Sequence, residues 1–293
     1  MKALIGVDSL GQCNAAIELV RRLDFSLEKL VLLHSVESVM PDGSFPGLAA
    51  GGTYTDMIEE FEDAGEQALR EAAEAVGSGL EIEKKLIPGD PLRTLLDSAD
   101  DEAIDLIGVG TQKKSSLQAM LMGSVTRGLL TASTHSFLAA KEGFRKEGPL
   151  TAVFATDHSD YADRAVDLLA RFAPKGIGRL LVLSVIDPKS HRAVQAMRND
   201  GDLSGDLSVW AEDRMERENL AVCKKLAQHI PVCDERVERG EVNATIAKTM
   251  AAEGADLLIL GAQGHGFLDR LKSGSVSFHQ VVAENYPVLV LRA

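Results

Sequence analysis

The sequence predicts an α/β protein built from two tandem, doubly wound domains, each with a five-stranded parallel sheet. Two observations support this fold class. The chain resembles itself when it is shifted by about 150 residues. Within each half, short apolar segments alternate with longer segments of helical pattern, which is typical of parallel sheets covered by helices on both faces. At 293 residues, the chain is long enough for two ordinary domains.

Five sequence blocks recur in the same order and at a nearly constant offset, which indicates a duplication. The polar segment 141–149 contains Gly and Pro and separates the two halves. The predicted domains are therefore 1–143 and 149–293. The paired blocks are 3–8 with 152–157, 32–36 with 181–185, 87–90 with 238–241, 105–110 with 256–261, and 123–126 with 274–277.

Each half opens with an apolar strand, a helix and a second apolar strand. A long helix, a more polar third strand, another helix, an apolar fourth strand, a further helix and a short last strand follow. Nearly continuous apolar strands indicate burial on both faces of a sheet. The predicted strands are 2–7, 30–36, 81–87, 105–109 and 136–141, then 152–156, 180–186, 233–238, 256–260 and 287–292. The predicted helices are 14–23, 56–75, 161–172 and 208–229, and those that follow Gly89, Gly123, Gly240 and Gly274.

The net charge of −13 disfavours a nucleic-acid partner, which usually requires a basic face, and an anionic membrane surface. The charge is most simply a contribution to solubility. No apolar run approaches the ~18 residues of a membrane span. The opening MKALIGVDS has the pattern of a strand rather than a signal peptide. We therefore expect a cytoplasmic protein.

The three cysteines are Cys13, Cys223 and Cys233. The number is odd and no CxxC motif occurs, so neither a disulfide framework nor a metal site is indicated. We expect all three to be small buried or half-buried side chains.

The segment 257–277, LLILGAQGHGFLDRLKSGSVS, has the pattern of an anion site. An apolar strand ends at Gly261, Gly264 follows, and Gly274 and Ser275 come at the start of a predicted helix. Glycines let backbone N–H groups approach a phosphate closely, and a helix N-terminus adds free donors. The spacing is neither a Walker A loop nor GxGxxG. By itself the segment is equally compatible with an ordinary turn.

Asp157 ends the first strand of the second half, and Gly261 ends the fourth strand. Ligands of such sheets bind beyond the carboxyl ends of the strands. If these two strands are neighbours, Asp157 and the glycine loop share one crevice. Asp157 there is suited to bind ribose hydroxyls or a divalent metal, with capping of the following helix as the alternative.

The pattern Gly-x2-Gly-x9-Gly-Ser after a fourth strand, with an early strand-end Asp and an LLHV-like second strand, resembles the universal stress protein family. The resemblance covers nearly the whole chain as two tandem copies. It implies a Rossmann-like fold of the adenine nucleotide α-hydrolase type and a role as a stress-response regulator or tolerance factor. One branch of the family binds ATP through the glycine motif, and another lacks the motif and does not bind it.

Carried over to the second half, the resemblance implies a site for ATP with Mg²⁺. Asp157 would hold the ribose or the metal bound to the phosphates. Val185 would contact adenine, and Ala155 and Thr156 would line the base. The phosphates would be held by Gly261, Gly264, Gly274 and Ser275.

The first half departs from the family pattern. Its middle glycine position holds Lys113, whose Cβ would block close backbone approach but whose ammonium is able to contact a phosphate. This half is therefore either a weaker nucleotide site or a degenerate partner for the other half. The positions of the pattern that the first half does provide are Asp8, Val36, Gly110, Gly123 and Ser124.

The resemblance leaves activity and assembly open. No motif fixes the base and the cations that phosphate hydrolysis needs, so we expect nucleotide binding with slow or no turnover. A slow ATP-dependent hydrolase or transferase, or a ligand-free interaction module, are the alternatives. In single-copy members the last strand mediates dimerisation, so 136–141 and 287–292 are expected to form an intrachain pseudo-dimer, and a homodimer remains open. The sequence does not identify protein partners.

Overall fold

The computed structural model describes residues 1–37, 54–111, 123–145, 147–187, 207–262 and 275–293. The chain divides into two compact units. The first comprises Met1–Arg21 and Leu27–Lys141, and the second comprises Arg22–Ser26 and Glu142–Ala293. We refer to them below as the first and the second domain.

The first domain contains five parallel strands in the order β3-β2-β1-β4-β5. The first strand of the chain therefore lies at the centre of the sheet, between the second and the fourth. The elements are β1 (Lys2–Gly6), α1 (Cys13–Leu23), β2 (Lys29–Val36), α2 (Tyr54–Val76), β3 (Glu81–Pro88), α3 (Pro91–Asp101), β4 (Leu106–Gly110), α4 (Ser124–Ala132) and β5 (Ser136–Ala140).

The second domain repeats this topology, with five parallel strands in the order β8-β7-β6-β9-β10. The predicted fold class, two tandem doubly wound α/β domains, is confirmed. The elements are β6 (Leu150–Ala155), α5 (Asp160–Phe172), β7 (Ile177–Ile186), α6 (Leu207–Leu226), β8 (Val232–Arg239), α7 (Val242–Glu253), β9 (Leu257–Gly261), α8 (Ser275–Ala283) and β10 (Val288–Leu291).

Two predicted element ends differ from the structure by three residues, and the others differ by two or fewer. The helix predicted to reach residue 229 ends at Leu226, because the N–H groups of His229 and Ile230 both donate to the carbonyl of Leu226. The strand predicted from residue 180 begins at Ile177, because this part of β7 already pairs with the start of β6. Both differences arise from local backbone hydrogen bonds that apolar patterning does not report.

The central strands form the core of each domain. Leu4 of β1, Ile107 of β4, Phe154 of β6 and Ile259 of β9 are fully buried. The strands β3 and β8 lie at the edges of their sheets and are only partly buried. Their edge position explains why their sequences are more polar and alternating than those of the central strands.

The same ion-pair network occurs in both domains, at the end of the sheet where the strands begin. In the first domain, Lys29 and Lys85 both pair with Glu102, which follows α3, and with Glu83 of β3. Burial alone would raise the pKa of Glu102, but hydrogen bonds from the two lysines outweigh it and hold that pKa below its ordinary value.

In the second domain, Arg179 pairs with Asp234 at 2.8 Å and with Glu253 at 2.6 Å, and Arg236 pairs with Glu253 at 2.7 Å. Hydrogen bonds from Arg179 and then from Arg236 lower the pKa of Glu253. In both domains, this network joins the end of a helix to the edge strand and its neighbour.

We predict that Glu102→Gln destabilises the protein at neutral pH, and that the difference from the wild type disappears in acid. A carboxylate whose pKa is lowered by folding stabilises the native state above its unfolded pKa of about 4.3, and this contribution is lost as the pH falls through the folded value. The expected loss at neutral pH is about 1 kcal/mol or less, because the network lies near solvent. The measurement is the free energy of unfolding of both proteins, obtained by denaturant titration between neutral pH and mild acid.

Glu66→Gln is the matched control, because Glu66 pairs with Arg70 at 3.1 Å on an exposed face of α2. It should change stability little at any pH. Equal behaviour of the two variants across the pH range would contradict the prediction.

Candidate functional site

In each domain the first and the fourth strand are neighbours, and their carboxyl ends meet at one edge of the sheet. Gly6 of β1 pairs with Val109 of β4, and Ala155 of β6 pairs with Leu260 of β9. The loops that follow these strands therefore open onto a shared crevice, as is general for doubly wound sheets.

The crevice of the second domain is a cavity of about 230 Å³. Asp157 and Gly261 both line it, so the structure brings together the two ends that the sequence linked. The start of α8 contributes Val276 and Ser277. The other candidate residues on its wall are Ala155, Thr156 and Val185.

The crevice of the first domain is larger, about 550 Å³. His34 and Phe61 also line it. The half with the incomplete glycine pattern therefore has the more spacious cavity. The five candidate residues of this half, Asp8, Val36, Gly110, Gly123 and Ser124, all lie on its wall.

Several candidate positions fall outside the described residues. They include Gly264 and Gly274 of the second half and Lys113 of the first. Ser275 is the first residue of α8, and only its backbone is described.

The carboxylate of Asp8 is fully engaged by the backbone of its own loop. Oδ1 accepts hydrogen bonds from the N–H groups of Leu10 at 2.8 Å and Gln12 at 3.2 Å, and Oδ2 accepts from Cys13 at 2.9 Å. Cys13 is the first residue of α1. Asp8 therefore acts as a cap that fixes the loop between β1 and α1.

Asp157 occupies the position in the second domain that is equivalent to Asp8, but its carboxylate makes different hydrogen bonds. Its Oδ1 accepts from the N–H of Ser159 at 3.1 Å and from the hydroxyl of Ser159 at 2.7 Å. Ser159, not Asp157, caps α5 by accepting from the N–H of Ala162. In the part of the chain that the structure describes, Oδ2 of Asp157 has no hydrogen-bond partner, and the residue is exposed. It therefore offers an available carboxylate oxygen at the cavity.

A buried polar network supports the turn after Asp157, and the sequence reasoning missed it. Nε2 of His158 lies 2.8 Å from Oδ1 of Asn219 and 3.1 Å from the hydroxyl of Ser184, which in turn donates to the carbonyl of Thr156 at 3.2 Å. His158 has a φ of 53°, a conformation that few side chains adopt. The only sequence signal for this network is an amide, Asn219, within an otherwise charged stretch of α6.

Local packing requires a glycine at the end of β4, Gly110, but not at the end of β9, Gly261. A Cβ on Gly110 would lie 1.9 Å from the carbonyl oxygen of Gln12, so no other residue fits without a backbone shift. A Cβ on Gly261 would lie 3.2 Å from Cβ of Ala165, which requires only a small adjustment. Close packing of β4 against the start of α1 therefore accounts for Gly110 independently of any ligand.

The start of α4 lines the first cavity, and its first N–H groups have no hydrogen-bond partner among the described residues. Gly123 is its N-cap residue and has no side chain that could satisfy them. The first intrahelical bond that follows is from Arg127 to the carbonyl of Gly123, at 3.2 Å. The N–H groups of a first helical turn have no partner within the helix and favour an anion.

Within the described ranges, no group of three or more His, Cys, Asp and Glu side chains is arranged to hold a metal ion. None of the helices described combines the length and the apolar character that crossing a bilayer requires.

A model of the universal stress protein family matches residues 1–141 and 151–292, which together are nearly the whole chain. The chain belongs to this family. The match consists of two tandem copies, in agreement with the duplicated topology and with the resemblance drawn from the glycine pattern.

Some relatives of this universal stress protein match nearly the whole chain, and others match only part of it. One from Mycolicibacterium smegmatis is 25% identical over 304 aligned residues, which cover 99% of this chain and 96% of that protein. One from Methanocaldococcus jannaschii is 26% identical over 125 residues, covering 39% of this chain and 77% of that protein. The solved structure of a universal stress protein from Archaeoglobus fulgidus has a TM-score of 0.70 at 19% identity, covering 99% of this chain and 98% of that one.

We predict that Asp8→Ala loosens the start of α1, whereas Asp157→Ala leaves the start of α5 nearly unchanged. Only Asp8 holds a helical N–H group, and loss of such a cap costs about 1 kcal/mol. Hydrogen exchange of ligand-free protein is the measurement. Amides of residues 10–16 should exchange several-fold faster in Asp8→Ala. Equal acceleration around residues 159–165 in Asp157→Ala would contradict this reading.

We also predict that Gly110→Ala lowers the stability of the first domain by about 1–3 kcal/mol, because overpacking forces the backbone apart. Gly261→Ala is its matched counterpart and should cost less than about 1 kcal/mol, since its neighbour is a single methyl group. Thermal unfolding of the two variants tests this, and a larger loss in Gly261→Ala would refute the assignment.

Proposed function

We propose that this protein binds an adenine nucleotide, ATP with Mg²⁺, in its second domain, and that occupancy of the site regulates a stress response or stress tolerance. The observation that carries the proposal is the available Oδ2 of Asp157, at a cavity that also receives the end of β9 and the start of α8. A carboxylate oxygen and a helix N-terminus suit, respectively, the ribose or metal and the phosphates of one nucleotide.

The residues of the cavity have chemistry that fits each part of the ligand. Ala155, Thr156 and Val185 form a mostly apolar wall, which suits the flat face of adenine. The triphosphate belongs at the glycine-rich segment. There it would accept hydrogen bonds from the backbone of Gly261, Gly264 and Gly274 and from the hydroxyl of Ser275.

A single carboxylate is a sufficient protein ligand for a nucleotide-bound Mg²⁺. Magnesium usually keeps several waters and binds through one or two carboxylates together with substrate phosphates, rather than in a cage of protein ligands. Asp157 would supply such a carboxylate, and the nucleotide would supply the phosphates. The bound metal would neutralise phosphate charge, which matters in a protein whose net charge is −13.

The walls of this cavity favour binding over turnover. Its described lining contains no Lys, Arg or His, and Asp157 is its only ionisable carboxylate. Phosphate hydrolysis needs a positioned water or base together with charge neutralisation around the transferred group. We therefore propose a nucleotide-dependent regulator, whose ligand acts by binding one conformation of the surrounding loops better than another.

The first domain is proposed as a second site, one that depends less on a metal. Its cavity of about 550 Å³ and the free N–H groups of α4 can hold a ligand of similar size. Its aspartate, Asp8, is engaged by three backbone donors and has little capacity left for a ribose or a metal. Ligand binding there should accordingly be weaker and should depend less on Mg²⁺.

Two shorter members of the family have been solved with adenine nucleotides. One is a universal stress protein in complex with cAMP, and the other is the Arabidopsis thaliana protein with AMP bound. Their TM-scores to this chain are 0.31 and 0.30, so the proposal rests on the cavity and its carboxylate rather than on them.

Calorimetric titration of ATP into ligand-free protein, with and without Mg²⁺, tests the proposal. The wild type should bind one ATP tightly in the presence of Mg²⁺. Gly264→Val, which crowds the glycine segment, should abolish that binding. Asp157→Asn should weaken it about tenfold, equivalent to about 1.4 kcal/mol, and the effect should shrink when Mg²⁺ is omitted.

Asp8→Asn is the matched control and should leave the tight site intact. A stoichiometry near two would assign a nucleotide to the first domain as well. Absence of any binding heat or thermal shift in the wild type would refute the nucleotide proposal and favour a ligand-free interaction module.

A further inference from the structure

Two of the three cysteines meet in the second domain. Cys223 lies on α6 and Cys233 on β8. All three cysteines are free, and the expectation that each is buried or half-buried is confirmed. What the sequence did not indicate is that two of them belong to elements that pack directly against each other.

The thiol of Cys223 is held against β8 beside Cys233. Its Sγ donates a hydrogen bond to the carbonyl of Asp234, at 3.4 Å. One turn earlier on α6, the amide of Asn219 donates to the carbonyl of Arg236 at 3.1 Å. These two contacts fix the height and the rotation of α6 over the edge strand.

The alternation of β8 points Cys233 towards α6. The carboxylate of Asp234 pairs with Arg179 on one face of the sheet. Successive side chains of a strand point to opposite faces, so Cys233 lies on the other face. Because Cys223 reaches the backbone of Asp234 from α6, the two thiols converge.

The two thiols also differ in acidity. Contact with the Cys233 thiol lowers the pKa of Cys223. The same contact, followed by burial, raises the pKa of Cys233. The thiolate is the reactive form of cysteine, so Cys223 is the better nucleophile of the pair.

We propose that Cys223 and Cys233 form an oxidative modification site, at which a hydroperoxide such as hydrogen peroxide produces a reversible intramolecular disulfide between α6 and β8. The site lies outside the nucleotide cavity and does not depend on the proposed function.

The chemistry is balanced in two steps. The Cys223 thiolate attacks one peroxide oxygen, the O–O bond breaks, and the departing hydroxide takes up the proton that the thiol released, which yields a sulfenic acid and one water. The sulfur of Cys233 then attacks the sulfur of Cys223, the S–O bond breaks, and the departing hydroxide takes the proton of Cys233. In sum, two thiols and one hydrogen peroxide give one disulfide and two waters.

Cys13 provides an internal control. It lies at the start of α1 in the first domain, is 2% exposed, and is distant in sequence from the pair. Burial and then the charge of Asp8 raise the pKa of its thiol. It should therefore stay reduced under conditions that oxidise the pair.

The experiment is peptide mapping of reduced, full-length protein after exposure to hydrogen peroxide and alkylation of the remaining thiols. Lys224 and Lys225 lie between the two cysteines, so trypsin separates them and a disulfide joins two peptides. We expect a linked Cys223–Cys233 peptide pair that dithiothreitol releases, with Cys13 alkylated. Recovery of both cysteines in alkylated form, or of disulfides that involve Cys13, would overturn the proposal.

Single substitutions assign the order of attack. In Cys233→Ser, a dimedone adduct should accumulate on Cys223, because the resolving thiol is absent. In Cys223→Ser, Cys233 should remain largely unlabelled. A stronger adduct on Cys233 would refute the assigned nucleophile. Circular dichroism checks that each variant is folded. If a variant does not fold, the linked peptides of the wild type still test whether the disulfide forms.

Discussion

The parallel pairing of the first and the fourth strand of each domain is the constraint on which the rest of the structure depends. Because β1 pairs with β4 and β6 pairs with β9, loops far apart in the sequence end at the same edge. That edge collects a strand-end aspartate, a strand-end glycine and a helix N-terminus. Without this pairing, the residues would be unremarkable turn residues on separate loops.

The two domains share this strand pairing, but the hydrogen bonds of the loop after the first strand differ between them. Asp8 and Asp157 occupy the same position, yet Asp8 is engaged by three N–H groups of its own loop, while one oxygen of Asp157 has no partner among the described residues. The difference follows from what comes next in the chain. Ser159 takes over the capping of α5 in the second domain, whereas Asp8 itself holds the first residue of α1. A small change of cap thus separates a structural carboxylate from one that can meet a ligand.

Much of the fold could be predicted from the sequence, because apolar runs and the internal repeat are local signals. Burial confirmed the apolar strands, and the edge position of β3 and β8 explains their polar alternation. The end of helix α6 was predicted three residues too late, because it depends on bonds to the carbonyl of Leu226. The network of His158, Ser184 and Asn219 escaped prediction, since its members are far apart in the chain.

The sequence by itself determined the fold class, the duplication and the set of residues from which a site is built. Periodicity and spacing report these features directly, because both patterns are set by residues close together in the sequence. Only the tertiary structure decided that Gly110 is required by the backbone of Gln12, that among the described residues Asp157 rather than Asp8 has an unpaired oxygen, and that Cys223 packs against β8 next to Cys233. Each of these depends on how closely a helix approaches a strand, and that distance is set by packing across the whole domain rather than by any local pattern.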